Sequence, residues 1–351
     1  MKRKKVLFIA TSHRTRGGIT SVLNAYRQCP FWDKYRIKWI ESHIDRSAFL
    51  KIFYAFRAFF EYLFIIWSYD LVHIHTNAVP SVKRKYPFLK VAKLLGKKVI
   101  VHLHIGTQID SQIEKKADRY LYQRFFDEAD AIIVLSSMIK EKISDLFGVG
   151  EKVYVVYNPC LCISDSTFSV RGKNILYAGV LNQNKGYSVL IEAFSVIANK
   201  YPEWKLVFAG YGEIKEAKLL ASKYQISNQT EFTGWISGEK KDRLFRQASV
   251  VCLPSYAEGF PMTVLDAWAY KLPVVCTPVG GLRDILVDEK NALLFVPGDY
   301  KQLAAQLERI ILDEALRCHI VQNSQELVET IFNLSKIGEQ IDELYKKLLG
   351  E

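Results

Sequence analysis

Glu258 and Asp266 bracket the segment Pro254-Ser-Tyr-Ala-Glu-Gly-Phe-Pro-Met-Thr-Val-Leu-Asp266, which continues as Ala267-Trp-Ala-Tyr-Lys-Leu-Pro-Val-Val275. It reads as strand end, loop, helix, turn and strand. Gly259 lets the backbone approach a ligand, and Pro261 suits the first position of a helix. Asp266 would then stand two turns into that helix. The free N–H groups at such a helix start attract an anion. One carboxylate at the loop and one on the helix therefore suit a phosphorylated sugar or a nucleotide. Asp266 could take hydrogen bonds from a vicinal diol, and Glu258 could hold sugar hydroxyls or steady charge at an anomeric carbon. The alternative is that Glu258 caps the helix and Asp266 is a surface carboxylate. The neighbouring Gly-Phe-Pro makes that less attractive for Glu258.

Three further glycine turns follow strand patterns. Thr11-Ser-His-Arg-Thr-Arg-Gly-Gly18 could turn backbone N–H groups at Gly17 and Gly18 toward a phosphate or sugar, or be a plain tight turn. It is not Gly-x-Gly-x-x-Gly, so a dinucleotide fingerprint is absent and an oxidoreductase is disfavoured. Tyr177-Ala-Gly-Val-Leu-Asn-Gln-Asn-Lys-Gly186 ends a strand at Gly179 and places Lys185 at a loop-to-helix junction. Lys185 is either a point charge for a diphosphate or a solvated lysine. Phe208-Ala-Gly-Tyr-Gly-Glu213 would bring Gly210 and the face of Tyr211 near a base, or form a tight turn. His73, His75, His102 and His104 alternate on two strands, but no carboxylate joins them in a motif and no metal site is expected. His104, at a strand end, is the one expected to meet a ligand. His73 and His75 read as interior or strand-edge histidines.

These residues need strands that end in loops. Short β-branched runs at 5–10, 37–40, 71–75, 98–104, 131–135 and 153–157 alternate with helical patterns at 21–27, 48–69, 86–95, 115–126 and 137–147. The series restarts after Asn158-Pro159 and the polar stretch Ser164–Ser169, with strands at 174–178, 205–209, 230–232, 250–253, 274–277 and 292–296. Helices are expected at 187–200, 214–224, 239–248, 262–270 and 301–313. Such βαβ series predict an α/β protein of two Rossmann-like, doubly wound domains facing a cleft. The expected boundaries are residues 1–160 for the first domain, 161–323 for the second and 324–351 for a C-terminal helix bridging back to the first.

Composition narrows the chemistry. The chain has 351 residues, 49% of them apolar and 24% charged, which suits two globular domains. Its formal net charge of +11 and pI near 9.2 favour anionic partners. The basic clusters Lys2-Arg-Lys-Lys5 and Lys83-Arg-Lys85 are too short for nucleic-acid tails, so no nucleic acid is expected. None of the six cysteines forms a Cys-x-x-Cys pair, and Cys160-Leu-Cys162 is too tight for zinc. Cys252 and Cys276 fall in strand patterns as core residues. The basic start runs straight into a strand pattern, so no signal peptide is expected. Phe49–Trp67 is the most apolar stretch, interrupted by Lys51, Arg57 and Glu61. It is read foremost as a helix packing on a sheet, with a membrane interface as the alternative.

With its company of glycine turns, Pro254-Ser-x-x-Glu-Gly-Phe-Pro-Met-Thr-x-Leu-Asp-Ala resembles the Glu-x7-Glu signature of the retaining glycosyltransferases of family 4, which include glycogen synthase-like and bacterial polysaccharide-biosynthesis enzymes. Gly17-Gly18, His104, Gly179…Lys185-Gly186, Gly210-Tyr-Gly212 and Val279-Gly-Gly281 fall in that family's order. The resemblance spans nearly the whole chain and implies the GT-B architecture. It implies that Glu258 contacts the donor sugar, with backbone N–H groups of Phe260 to Thr263 around the sugar and diphosphate, and that Gly259, Pro261 and Met262 belong to the same donor-binding segment. Asp266 would bind the ribose, Lys185 the diphosphate, Gly18 would approach it from the first domain, and His104 would face the anomeric centre.

Two positions depart from the family. The second signature glutamate is Asp266, one methylene shorter, and Val180 stands where many relatives carry Arg. Lys185 would then carry more of the phosphate charge, with Arg14 or Arg16 helping. The implied enzyme is a metal-independent hexosyltransferase without cofactor, the nucleotide sugar being a substrate. It would move a hexose from a nucleotide-diphosphate sugar, UDP-linked on family frequency, to a glycan or lipid-linked acceptor in cell-surface polysaccharide assembly. The expected location is the cytoplasm, with peripheral contact at the inner face of an anionic membrane. A non-catalytic GT-B partner or glycan-binding subunit, and a nucleotide-sugar epimerase, are the alternatives.

Overall fold

A computed structural model of the protein describes residues 3–106, 109–161, 163 and 172–351. The chain divides into two compact units, Met1–Pro159 with Phe332–Glu351, and Cys160–Ile331. Lys2, Cys162 and the polar stretch Ser164–Ser169 lie outside the described residues.

In the first unit, β1 (Lys5–Thr11), β2 (Arg36–His43), β3 (Leu71–Thr76), β4 (Lys98–Leu103), β5 (Ala131–Val134) and β6 (Val153–Val155) form one parallel sheet ordered β2-β1-β3-β4-β5-β6. Val6 to Ala10 and Ile132 to Val134 are fully buried, as befits strands covered on both faces. The helices are α1 (Gly18–Tyr26), α2 (Pro30–Lys34), α3 (Ala48–Ile65), α4 (Val79–Leu94), α5 (Ile109–Gln112), α6 (Lys116–Glu128) and α7 (Ser137–Phe147).

The second unit repeats the plan. Its strands β7 (Asn174–Ala178), β8 (Lys205–Ala209), β9 (Thr230–Phe232), β10 (Val250–Leu253), β11 (Val274–Cys276) and β12 (Leu293–Leu294) run parallel in the order β12-β11-β10-β7-β8-β9. Its helices are α8 (Tyr187–Ile197), α9 (Ile214–Lys223), α10 (Gly238–Gln247), α11 (Met262–Ala269), α12 (Tyr300–Leu312) and α13 (Glu314–Leu327). Cys252 and Cys276 are buried in its strands. Asp299 and Asp313 start α12 and α13 by accepting from the N–H groups of Gln302 and Leu316.

Several expectations need correction. The helix expected over 86–95 begins at Val79, because Pro80 fits a first turn that needs no N–H. It then runs through Pro87, held by buried Val82, Phe88 and Leu89. Helix α2 was not legible in the pattern. The tail expected as one helix from Ser324 is two: α13 begins at Glu314, a π-turn spans Val328–Phe332, and α14 (Leu334–Leu349) follows. Asn333 caps α14 by accepting from the N–H of Lys336. Helix α3 was expected to bury its apolar face on the sheet. It lies along the edge strand β2 instead, with only Ala58 and Tyr62 buried and most of its aromatic side chains facing out.

Helix α14 completes the core of the first unit. Tyr345 is fully buried against Tyr35 and Phe31, and Asp342 accepts from Lys34 Nζ (2.6 Å) and the Tyr35 hydroxyl (2.8 Å). The Tyr345 hydroxyl also meets His73 Nδ1 at 2.7 Å. That bond anchors a ladder of stacked imidazoles on β3 and β4 and just beyond. Successive centroids lie 4.5 Å (His73–His75), 4.7 Å (His75–His102) and 4.3 Å (His102–His104) apart. His73 Nε2 meets His102 Nδ1 at 3.3 Å, and His75 Nδ1 meets His104 Nε2 at 2.9 Å. Burial pushes His73 and His104 down to about 3 and holds His75 and His102 well below their ordinary value. Lys85, fully buried with Nζ donating to the His75 carbonyl, is likewise lowered by burial to about 7.

Two predictions follow from this core. The unfolded chain binds protons more readily than the folded ladder, so stability is full above the ordinary histidine value of 6.5 and falls as pH drops toward about 3. The urea midpoint should therefore decrease steadily from pH 7 to pH 4, and a flat profile would contradict a neutral ladder. Tyr345→Phe, which strips His73 of its partner, should cost about 1–3 kcal/mol in the same measurement. An unchanged midpoint would show the bond contributes nothing.

Candidate functional site

In an open parallel sheet, ligands bind beyond the carboxyl ends of the strands where the winding reverses. In the second unit that point lies between β7 and β10, since β8 and β9 extend one way and β10 to β12 the other. The loop after β7 carries Gly179 to Gly186, and the loop after β10 carries Pro254 to Pro261. Both harbour residues singled out in the sequence.

The first loop is shaped from within. The Tyr177 hydroxyl donates to the Val180 carbonyl (2.7 Å), and the Asn182 side chain accepts from the Lys185 N–H (3.0 Å). Gly186 closes it in the left-handed region (φ +66°), and a Cβ there would run into the Pro254 carbonyl. The second loop is laced to the first. Tyr256 N–H donates to the Asn184 carbonyl (2.8 Å), and Asn184 Nδ2 to the Ala257 carbonyl (3.2 Å).

Across this seam Lys185 Nζ sits 2.6 Å from both oxygens of Glu258. Ser255 Oγ donates to the same carboxylate at 2.7 Å, and the Glu258 side chain is only 6% exposed against 27% for Lys185. The expected solvated or phosphate-ready lysine is therefore already paired. A third loop supports the pair from behind. Gly280 (φ +60°) has no room for a Cβ beside the Glu258 carbonyl, and Gly281 N–H donates to the Gly259 carbonyl at 2.7 Å. Thr277 Oγ1 donates to the Ser255 carbonyl.

Helix α11 starts at Met262, with Pro261 as its N-cap rather than its first helical residue. No side chain caps it, so Glu258 is not its cap. Pro261 has no N–H, so it cannot be one of the donors expected over 260–263. Thr263 Oγ1 donates to the Ala178 carbonyl (2.7 Å), tying the helix to β7. Asp266 lies one turn into α11, not two, and pairs with Lys241 Nζ of α10 at 2.6 Å. Gly210 and Tyr211 follow β8, where Leu181 N–H donates to the Tyr211 carbonyl (2.7 Å) and the Tyr211 ring meets Trp235 edge-on at 5.6 Å.

The structure thus gathers Gly179, Lys185, Gly210, Tyr211, Glu258 to Thr263 and Asp266 at one edge of the second sheet. Gly17, Gly18 and His104 belong to the first unit. Gly17 (φ +141°) is the N-cap of α1, which starts at Gly18 rather than at the expected Ser21 and carries no side-chain cap. His104 follows β4, keeps part of its surface exposed and tops the imidazole ladder.

Sequence reasoning missed Ser255, Asn184, Thr277 and Lys241. Ser255 lies three residues before Glu258, the one signal that could have flagged it. Lys241 sits in a charged run with no motif, and only folding brings it to Asp266. The side chains of His73, His75 and His102 offer nitrogens within 4.8 Å of one another, the one such cluster among the described residues. Their rings stack nearly parallel, so their lone pairs run side by side rather than converge as a tetrahedral ion requires.

Comparison with known proteins agrees with this geometry. Residues 8–160 match the model of Glycosyltransferase Family 4, and residues 164–327 that of Glycosyl transferases group 1. An uncharacterized glycosyltransferase of Methanocaldococcus jannaschii is 28% identical over 239 residues, 62% of this chain and 60% of that protein. The capsular polysaccharide biosynthesis glycosyltransferase CapM of Staphylococcus aureus is 30% identical over 176 residues, 50% of this chain and 46% of that protein. The chain thus matches about half to three fifths of the length of these relatives. Anabaena HepE, solved with UDP and glucose, superposes with a TM-score of 0.80 at 18% identity, covering 98% of this chain and all of that one. Sucrose-phosphate synthase of Thermosynechococcus elongatus gives 0.77 at 19% identity, covering 99% and 100%. Two parallel Rossmann-like sheets give the chain the GT-B fold, with a Glycosyltransferase Family 4 domain matched over 8–160 and a Glycosyl transferases group 1 domain over 164–327.

Proposed function

We propose that the protein is a retaining, metal-independent hexosyltransferase that moves a sugar from a nucleoside-diphosphate donor, UDP-linked in the first instance, to a hydroxyl of a glycan or lipid-linked acceptor in cell-surface polysaccharide assembly. The observation that carries this reading is the buried Lys185–Glu258 pair beside the uncapped start of α11. A cation next to the N-terminus of a helix suits a diphosphate, and the carboxylate beside it suits sugar hydroxyls. CapM, a capsular polysaccharide biosynthesis glycosyltransferase, and HepE, solved with UDP and glucose, are in keeping with it.

In the proposed reaction the acceptor hydroxyl attacks the anomeric carbon from the face the diphosphate leaves. The carbon–oxygen bond to the phosphate breaks with its electron pair on the diphosphate, which takes the hydroxyl proton. Lys185, released from Glu258 as donor enters, and the α11 N–H groups stabilise the charge that grows on the leaving group. Glu258 then holds the donor sugar, and Asp266 binds the ribose with Lys241 beside it.

The pairing sets how this is tested. Lys185→Ala and Glu258→Ala should each lower turnover by about 100-fold or more. Lys185→Ala should also lose about 1–3 kcal/mol of stability, because Glu258 is left buried without its cation. The double variant K185M/E258Q should regain stability but not transfer, separating chemistry from folding. A screen of UDP-, GDP- and ADP-sugars with product-release detection, alongside calorimetry with the diphosphates, reads both. Near wild-type turnover in either single variant sinks the assignment, and no binding of any nucleoside diphosphate favours a non-catalytic subunit.

A further inference from the structure

Helix α3 turns the usual arrangement of a surface helix around. Phe49, Ile52, Phe53, Phe56, Phe60 and Phe64 recur at three- and four-residue steps and so fall on one stripe. That stripe faces outward, with Phe49 75% and Phe64 82% exposed, and Trp67 in the following turn extends it at 67%. The inward side buries Ala58 and Tyr62 and packs Phe59 and Ile65 on the core, with ion pairs along the flank. Glu61 pairs with Lys38 of β2 at 2.7 Å, and Arg57 lies 3.9 Å from Glu41 of the same strand. The buried Tyr62 hydroxyl donates to the Phe88 carbonyl at 2.7 Å. The helix is thus pinned with its aromatic side exposed, at a large cost in wetted apolar surface for a chain with nothing to cover it.

We infer that this face of α3 is a membrane-docking surface that lies in the interfacial layer of a bilayer rich in anionic lipid. Among the described residues no helix is long and apolar enough to cross a membrane, and α3, at about 27 Å, suits the interface plane. Cations stand at both ends of the stripe. Arg46 is exposed just before the helix, Lys51 lies on its first turn sharing Asp45, and Lys97 Nζ donates to the Trp67 carbonyl at 3.2 Å. An aromatic stripe with an end tryptophan and flanking cations complements anionic headgroups above an apolar layer. A second copy would instead bring two such basic faces of a +11 chain together. Docking here would bring the enzyme to a lipid-linked acceptor, a purpose that rests on the proposed function, whereas the docking itself does not.

Flotation with phosphatidylcholine vesicles, with and without phosphatidylglycerol, tests this on the full chain. The wild type should float with phosphatidylglycerol, release at high salt, and show a blue-shifted tryptophan emission that Trp67→Phe reduces. Phe56→Ser, Phe60→Ser and Phe64→Ser together should weaken vesicle binding by about 10-fold or more. Their thermal unfolding and affinity for UDP should match the wild type. Equal flotation of the triple variant overturns the inference, as does a wild type that ignores anionic vesicles at low salt. So does a wild-type dimer, seen by light scattering, that the triple variant dissolves without any vesicle binding. A wild type that floats but binds no nucleoside diphosphate would instead overturn the glycosyltransfer reading alone.

Discussion

A carboxylate withdrawn from water costs several kcal/mol unless a partner cation and hydrogen bonds offset it. Glu258 is withdrawn to 6% exposure, and the second unit is built around keeping it satisfied. Lys185 reaches it from the loop after β7, and Ser255 holds it from its own loop. Those contacts require the loops to abut, and the backbone bonds between Tyr256 and Asn184 and between Gly281 and Gly259 keep them so. Gly186 and Gly280 are glycines because a side chain at either position would part the loops. In the proposed reaction a donor phosphate takes the cation that the carboxylate now holds.

The first unit answers a different constraint. One face of its central strands β3 and β4 carries imidazoles, and burial keeps them uncharged. Neutral rings stack as aromatic core, with Tyr345 of the C-terminal helix supplying a hydroxyl that reaches them. The unit therefore needs a segment from the far end of the chain, and α14 is as much a part of its core as any sheet strand. On its outer edge, α3 packs Ala58 and Tyr62 inward, pairs its flanking charges with β2 and leaves its aromatic stripe outward.

Period and punctuation in the sequence determined much of this. Apolar β-branched runs marked the strands, and glycine turns after them marked the loops that carry Lys185, Tyr211 and Glu258. Boundaries were less legible where local rules compete: Pro80 opens α4 and Pro87 sits inside it, so a proline there reads as either a start or a stop. The Glu-Gly-Phe-Pro block singled out the loop after β10, but its chemistry was read as separate carboxylates and a lysine for phosphate or solvent, not as an ion pair.

Tertiary structure alone decided the pairings. Lys185 and Glu258, Lys241 and Asp266, and Tyr345 and His73 are far apart along the chain, and only the winding of each sheet brings them within hydrogen-bond reach. The direction of the α3 stripe was likewise undetermined, because helical spacing groups Phe49 to Phe64 on one side without saying which side meets the sheet. That was settled by the burial of Ala58 and Tyr62 in the core of the first unit, with ion pairs to β2 beside them, an interaction between segments that no local pattern encodes. The sequence by itself fixes which residues share a face or a loop, through the geometry of helix and strand. What each face or charge then meets depends on chain topology, which local periodicity does not carry.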